Sequence, residues 1–180
     1  MVILIGGASC SGKTYLAQKL LEEYKIPYLS IDHLKMGLIR SGNALGLTPY
    51  DDDKLTEFLW PIIKEIIKTN IENKQSIIIE GCYLPQSEIY SFKDRYQKSI
   101  IPLYIVFSKA YIDNNYKAII NKSNEIETKT ELAYLTKDYL YKEHKKVKDQ
   151  CDKFNVPYIY IEKDYNKDIK KAFTIIKRYI

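Results

Sequence analysis

The residues with the clearest chemical potential lie near the start of the chain, in the pattern G-x-x-x-x-G-K-[ST]. Its eight members are Gly7, Ala8, Ser9, Cys10, Ser11, Gly12, Lys13 and Thr14. The glycines permit a backbone path on which N–H groups point inward at a phosphate, and a following helix adds the positive end of its dipole. The lysine can reach the β- and γ-phosphates of a nucleotide, and the threonine hydroxyl can coordinate Mg²⁺. The pattern therefore predicts a site for ATP or GTP.

The flanking segments supply the structural context that this chemistry requires. The apolar run Val2–Ile5 comes before the pattern and is typical of a buried strand. The amphipathic segment Lys13–Tyr24 follows at once and predicts a helix. The alternative is a glycine- and serine-rich turn without a ligand. The order of strand, loop and helix favours the nucleotide site.

Two carboxylates lie at the ends of further predicted strands. Asp32 follows the run Ile26–Ile31, and Glu80 follows Ser76–Ile79. In doubly wound sheets, the carboxyl ends of the strands face the ligand crevice. Asp32 is a candidate to contact an acceptor beside the phosphates, and it would equally serve as the N-cap of a helix that begins at His33. Glu80 is a candidate to organise Mg²⁺ or bind substrate, with a structural turn carboxylate as the alternative.

Short apolar strands alternate with helical patterns along the whole chain. The predicted strands are Val2–Ile5, Ile26–Ile31, Ser76–Ile79, Ile100–Phe107 and Val156–Ile161. The predicted helical segments are Lys13–Tyr24, His33–Arg40, Asp52–Glu72, Gln86–Tyr96, a long polar region from Lys109 to Phe154, and Asn166–Tyr179. Continuous apolar strands are expected in a parallel sheet that is covered on both faces. The pattern predicts a three-layer α/β/α fold around five parallel strands.

One connection is much longer than the dozen or so residues that a crossover helix needs. Its first part, Lys109–Lys137, is rich in Asn, Lys, Glu and Thr and poor in large apolar residues. We expect this part to bury little, to project, and to act as a hinged lid over the phosphate loop. Its cations include Lys109, Lys117, Lys122 and Lys129, and it has no arginine. A surface excursion without a special role is the alternative.

Composition limits the remaining possibilities. The chain has 180 residues, 46% of them hydrophobic, which suits one domain over residues 1–180. The net charge of +5 is spread over many lysines, so we expect a solvated surface and no nucleic-acid partner. The three cysteines are widely spaced and form neither a zinc motif nor a disulfide framework. We find no apolar run of membrane-spanning length and no signal peptide, and we expect a cytoplasmic protein without a membrane partner; the oligomeric state stays open.

Three segments resemble those of the small P-loop kinases: Gly6–Thr14, Leu29–Lys35 and Ile78–Gly81. That group includes nucleoside monophosphate kinases, shikimate and gluconate kinases, chloramphenicol phosphotransferase and zeta toxins. Within it, the chain looks nearest to bacterial proteins labelled 2-phosphoglycerate kinase or adenylate kinase. The resemblance implies a strand order of 2-3-1-4-5, Mg-ATP as the donor, and a lid between the fourth and fifth strands. It also implies that Asp32 orients an acceptor hydroxyl and takes its proton.

The chain departs from the nucleoside monophosphate kinases in its charged residues. These kinases use several arginines to hold phosphates, whereas this chain has only Arg40 near the acceptor side, with Lys35 a turn earlier. Lysine neutralises a phosphate as a point charge, without bidentate geometry. The two cations are candidates to hold an anionic group of the substrate. The scarcity of arginines favours a hydroxyl acceptor over a monophosphate.

The sequence thus predicts an ATP-dependent kinase that transfers the γ-phosphoryl group to a hydroxyl of a small metabolite. Lys13 and the loop amides would hold the triphosphate, and Lys13 and Asp32 would be the catalytic residues. Thr14 and Glu80 would organise Mg²⁺. The alternatives are an adenylate-type nucleoside monophosphate kinase and a nucleotide-binding regulatory or toxin-like module with weak transfer activity. A GTPase ranks last, because the sequence has no N-K-x-D pattern that would read guanine.

Overall fold

The computed structural model describes residues 1–123 and 134–179, and within them five parallel strands form one sheet in the order β2-β3-β1-β4-β5. The strands are β1 (Val2–Gly7), β2 (Tyr28–Ser30), β3 (Ile77–Glu80), β4 (Ile100–Phe107) and β5 (Tyr158–Ile161). Every residue of β1 and β4 is buried, as expected for strands covered on both faces. The predicted strand order is confirmed.

Helices pack on both faces of the sheet. They are α1 (Lys13–Tyr24), α2 (Ile31–Arg40), α3 (Asp52–Glu72), α4 (Asp94–Gln97), α5 (Lys109–Lys122), α6 (Lys137–Lys153) and α7 (Tyr165–Ile176). Ile3 and Ile5 belong to one apolar cluster with α1, α5 and α7, while Val2 and Leu4 belong to a second with α3. The split arises because successive side chains of a strand point to opposite faces. Within the described part of the chain, none of the helices has the length and apolar character to cross a membrane.

The predicted helix over Gln86–Tyr96 is wrong. The structure instead has a short 3-10 turn followed by α4, and the extended backbone of Lys93 separates them (φ −60°, ψ 149°). Ile89, Phe92 and Tyr96 are buried in the cluster that contains α3. Their spacing is also that of one helix, but here a 3-10 turn, irregular backbone and the short α4 carry the three side chains into the core. Tertiary packing therefore overrides the local periodicity.

The long connection after β4 is more buried than its composition predicts. α5 buries Tyr111, Ile112 and Ile119 in the core, so the expectation that Lys109–Lys137 buries little is wrong for this helix. A few apolar residues suffice because they share one side of α5. Residues 124–133 lie outside the described part of the chain. The lid role of 109–137 stays a prediction.

Candidate active site

The phosphate loop joins β1 to α1 and ends at Gly12. Gly12 has a φ of 85°, a conformation that residues with a side chain rarely adopt. A Cβ at this position would overlap the hydroxyl of Tyr165, which donates a hydrogen bond to the Gly12 carbonyl at 3.2 Å. With glycine as the N-cap, no cap side chain competes for the first N–H groups of α1. The helix end is therefore suited to an anionic ligand.

Lys13 places a positive charge inside the loop. Its exposed fraction is 7%, and its Nζ donates to the Ala8 carbonyl across the loop at 2.9 Å. Burial alone would lower the pKa of this ammonium, but Cys82 and the carboxylates of Glu80 and Asp32 raise it above its ordinary value. Lys13 is therefore a permanent cation, which suits it to hold phosphate oxygens.

Thr14 and Glu80 meet at the edge of the loop. Thr14 Oγ1 donates to Glu80 Oε1 at 3.3 Å, and Glu80 is only 1% exposed. A hydroxyl and a carboxylate are hard oxygen ligands of the kind that Mg²⁺ prefers. In residues 1–123 and 134–179, no group of three or more His, Cys, Asp or Glu residues could hold a metal by itself. Mg²⁺ commonly binds through one or two protein groups together with waters and phosphates.

Asp32 lies in the first turn of α2, beside the loop. The N-cap of this helix is Ser30, so the alternative role of Asp32 as N-cap of a helix that begins at His33 is wrong. The early start of α2 gives Asp32 a place where the helix dipole favours a carboxylate. Its side chain is 36% exposed and pairs with Lys35 at 2.6 Å.

Hydrogen bonds connect Asp32 to two residues that sequence reasoning missed, Tyr83 and Asp52. Lys35 Nζ donates to the Tyr83 hydroxyl at 3.0 Å, and that hydroxyl donates to Asp52 Oδ1 at 2.9 Å. Burial, followed by the charges of Asp52 and Asp32, raises the pKa of Tyr83, so the phenol stays protonated. We call Asp32, Lys35, Tyr83 and Asp52 the Tyr83 network. No motif marks the last two residues.

A cavity of about 410 Å³ joins the loop to Asp32 and Glu80, a volume within the range of small-molecule sites. A second wall comes from one face of α5 and from the turn after β5. The α5 residues are Tyr111, Asn115, Ala118, Ile119 and Lys122, and the turn contributes Lys163, Asp164, Tyr165 and Asn166. The first part of the predicted lid is thus a wall of the cavity, and one of its lysines, Lys122, lines it.

Arg40 lies apart from these groups. It ends α2, is exposed, and is not among the described residues that line the cavity. It is eight positions along the helix from Asp32, a distance of about 12 Å along the axis. Its substrate role stays a prediction, whereas Lys35 lies within the Tyr83 network.

His144 packs against Phe107, one of the residues that line the cavity. It is buried on α6, its Nδ1 accepts the backbone N–H of Phe107 at 2.9 Å, and the two rings stack with centroids 4.6 Å apart. Because Nδ1 is an acceptor, the proton of the neutral ring belongs on Nε2. Burial and then the charge of Lys13 lower the pKa of His144 to about 3. A neutral imidazole therefore holds Phe107, which lines the cavity.

Comparison with known proteins identifies the fold. No family model and no curated protein matches the chain. Among solved structures, it is similar to a gluconokinase from Sinorhizobium meliloti 1021, with 13% identity, a TM-score of 0.55 and coverage of 99% of this chain and 92% of that one. It is also similar to shikimate kinase from Aquifex aeolicus vf5 (14% identity, TM-score 0.54, coverage 99% and 98%) and to deoxyadenosine kinase from M. mycoides (13%, 0.54, 99% and 98%).

These three structures carry neither label of the narrower resemblance, 2-phosphoglycerate kinase or adenylate kinase, so that part stays a prediction. At such low identities, structural likeness establishes the fold and leaves the activity to be argued from the site. The chain has the P-loop kinase fold, with a five-stranded parallel sheet in the order 2-3-1-4-5.

Proposed function

We propose that the protein is an ATP-dependent kinase that phosphorylates a hydroxyl group of a small metabolite. The observation that carries this proposal is the convergence of Lys13, Thr14, Glu80 and Asp32 on one cavity at the carboxyl ends of the strands. Phosphoryl transfer depends mainly on positioning and on stabilising charge, and these residues are suited to both.

The loop half of the cavity would hold the donor. The N–H groups at the start of α1 and the Lys13 ammonium would bind the β- and γ-phosphates of ATP. Thr14 and Glu80 would hold Mg²⁺, which when bound neutralises charge on the phosphate oxygens. The fixed positions of these groups would lower the cost of organising the triphosphate.

The part of the cavity between α5 and the turn after β5 would hold the nucleoside of ATP. Phe107 forms edge contacts with Tyr111 and Tyr165, with ring centroids 4.9 and 6.1 Å apart. All three residues line the cavity and provide an aromatic wall between α5 and the turn after β5. An adenine ring is a flat apolar group that such a wall can bury.

Asp32 would act on the acceptor. The acceptor oxygen forms a bond to the γ-phosphorus while the bond from that phosphorus to the bridging oxygen of ADP breaks. The hydroxyl proton passes to the Asp32 carboxylate, which acts as the general base. Lys35, which pairs with Asp32 at 2.6 Å, would hold the carboxylate in position.

The charges near Asp32 support a hydroxyl acceptor over a nucleoside monophosphate. A monophosphate oxygen is already ionised and needs cations rather than a base. Lys35 is paired with Asp32, and Arg40 is exposed at the far end of α2. A regulatory or toxin-like module with weak transfer activity is distinguished from either kinase by its low turnover.

The donor site is tested by the Lys13→Ala variant. Mg-ATP should raise the melting temperature of the wild-type protein by mass action, and the variant should lose most of that rise. Once an acceptor is found, the rate of ADP production by Lys13→Ala should be about 10²- to 10³-fold lower than that of the wild type. Losses of this size follow the removal of other electrostatic contacts in active sites.

Lys19→Ala is the matched control, because Lys19 lies on the same helix but is exposed and paired with Glu22. This variant should keep both responses. Equal ATP-induced shifts in wild type and Lys13→Ala would contradict the donor site. Absence of turnover with every acceptor, despite ATP binding, would favour the regulatory module.

A further inference from the structure

The Tyr83 network extends outward from Asp32, the member of the network that lines the cavity. It connects three separate elements: α2 through Asp32 and Lys35, the segment after β3 through Tyr83, and the first turn of α3 through Asp52. Tyr83 is buried, whereas Asp52 remains exposed. The buried phenol therefore fixes an accessible carboxylate near the candidate catalytic base.

Lys35 carries the positive charge that could hold an anionic substrate, but it is already paired within the Tyr83 network. Lys35 Nζ pairs with Asp32 Oδ1 and also donates to Tyr83, whose ring centroid lies 5.0 Å from the same nitrogen. One ammonium thus stands against the two carboxylates of Asp32 and Asp52. Lys13, the neighbouring cation, lies in the phosphate loop and bonds to Ala8. A phosphate or carboxylate on the acceptor would meet excess negative charge here.

Asp52 keeps binding capacity for a ligand. Its Oδ1 accepts from Tyr83, and in the described ranges, 1–123 and 134–179, no side chain or N–H bonds to its Oδ2. Helix capping does not account for the residue, because the N-cap of α3 is Asp51. A carboxylate held by one hydrogen bond with its second oxygen accessible is a ready acceptor for an ammonium group.

We propose that the acceptor is an alcohol that carries an amine, with its hydroxyl at Asp32 and its ammonium group at Asp52. This inference rests on the proposed kinase function and adds the charge class of the substrate. Lys35 and Tyr83 position the two carboxylates, and Asp52 determines specificity. The expectation from the sequence that Lys35 holds an anionic group stays a prediction; under the present proposal this lysine, with its carboxylate and phenol partners, has a positioning role instead.

The test uses alcohols that share a frame and differ in charge. One set is glucosamine, glucose and gluconate, and a second is ethanolamine, ethylene glycol and glycolate. A third set has no amine and compares neutral adenosine with anionic AMP. ADP production by the full-length protein with Mg-ATP should give kcat/KM values that fall from amine to neutral to anionic member. Any other order, or no turnover with any amine while Mg-ATP still raises the melting temperature, overturns the inference and leaves the donor site intact. A protein that does not bind Mg-ATP removes the proposed function itself.

Asp52→Asn provides the residue-level test, since it keeps the shape and the bond from Tyr83. The variant should lower the preference for the amine over the neutral alcohol by about 10- to 100-fold, the range for hydrogen bonds to charged groups. Asp53→Asn is the control: its carboxylate is 96% exposed and pairs with Lys146 at 3.7 Å, and the preference should be unchanged. An equal loss with amine and neutral alcohols in Asp52→Asn would show a merely structural role and overturn the assignment.

Discussion

The two ends of the reaction site are built in different ways. The phosphate loop is one continuous segment, Gly7–Thr14, that presents backbone groups and one lysine. The Tyr83 network takes four side chains from three elements, and its Tyr83–Asp52 hydrogen bond joins residues 31 positions apart. The first arrangement depends on local backbone shape, and the second depends on how helices pack around the sheet.

This difference has a functional consequence. A backbone cradle binds any triphosphate, because phosphate oxygens are the same in every nucleotide. A network of side chains recognises one particular ligand, and the replacement of one residue can change its specificity. We therefore expect the loop to define the donor chemistry, and the Tyr83 network to define the acceptor.

The largest effect should come from Asp32→Asn, which removes the base but keeps the shape of the side chain. We expect turnover to fall about 10²- to 10⁴-fold while the ATP-induced rise in melting temperature persists. Arg40→Ala is the companion variant and should have a small effect, since Arg40 lies at the far end of α2. An active Asp32→Asn protein beside an inactive Arg40→Ala protein would indicate a monophosphate acceptor instead.

The loop should be sensitive to a single methyl group at Gly12. Gly12→Ala would force a side chain into a φ of 85° and against Tyr165, at a cost in unfolding free energy of about 2–5 kcal/mol from backbone strain and overpacking together. Chemical denaturation measures this loss, and ATP affinity should fall with it.

Gly42→Ala separates the two causes. Gly42 has a φ of 76°, but a Cβ there would have open space around it. We expect this control to lose only the backbone part, about 1–2 kcal/mol, and to keep its ATP affinity. Equal losses in the two variants would mean that Tyr165 does not constrain the loop.

His144, which packs against Phe107 on the donor side of the cavity, should make the free energy of unfolding depend on pH. The pKa of His144 is about 3 in the folded protein and about 6.5 when unfolded. Because the folded value is lower, the unfolded state binds more protons between these values, and stability falls as pH drops below about 6.5. Between pH 7 and pH 5, His144 should cost about 2 kcal/mol of unfolding free energy.

Denaturant titrations at the two pH values measure the change. His144→Gln should lose most of the slope, since glutamine has no titrating group. His33→Gln removes the other histidine of the chain, an exposed one, and should retain the contribution of His144. The same slope in wild type and His144→Gln would contradict the assignment.

The smallest effect should come from Tyr83→Phe, which removes one hydroxyl from the acceptor side. Two hydrogen bonds are lost, so kcat/KM for the acceptor should fall by up to about 10-fold. The ATP-induced melting shift should not change. Tyr90→Phe is the matched control, because the Tyr90 hydroxyl bonds to the Asn155 carbonyl, away from the cavity. A loss of ATP binding in Tyr83→Phe would mean that the phosphate loop and the Tyr83 network are not independent of each other.

The sequence by itself determined the parts of the molecule that depend on neighbouring residues. The pattern from Gly7 to Thr14 predicted a nucleotide loop that the structure places between a strand and a helix. The apolar runs predicted the five strands, and the bounds of α1 and α3 agree with the predicted helices. The positions of Asp32 and Glu80 at strand ends put both carboxylates in the cavity, because parallel strands end at one edge of a sheet.

Only the tertiary structure decided which distant residues complete the site. Tyr83 and Asp52 carry no motif, and they meet because the segment after β3 and the start of α3 approach α2. The segment Gln86–Tyr96 has helical spacing but packs as irregular backbone, and α5 turns a polar stretch into a cavity wall. Motifs and periodicity record local geometry, whereas these contacts depend on the angles and distances at which whole elements pack.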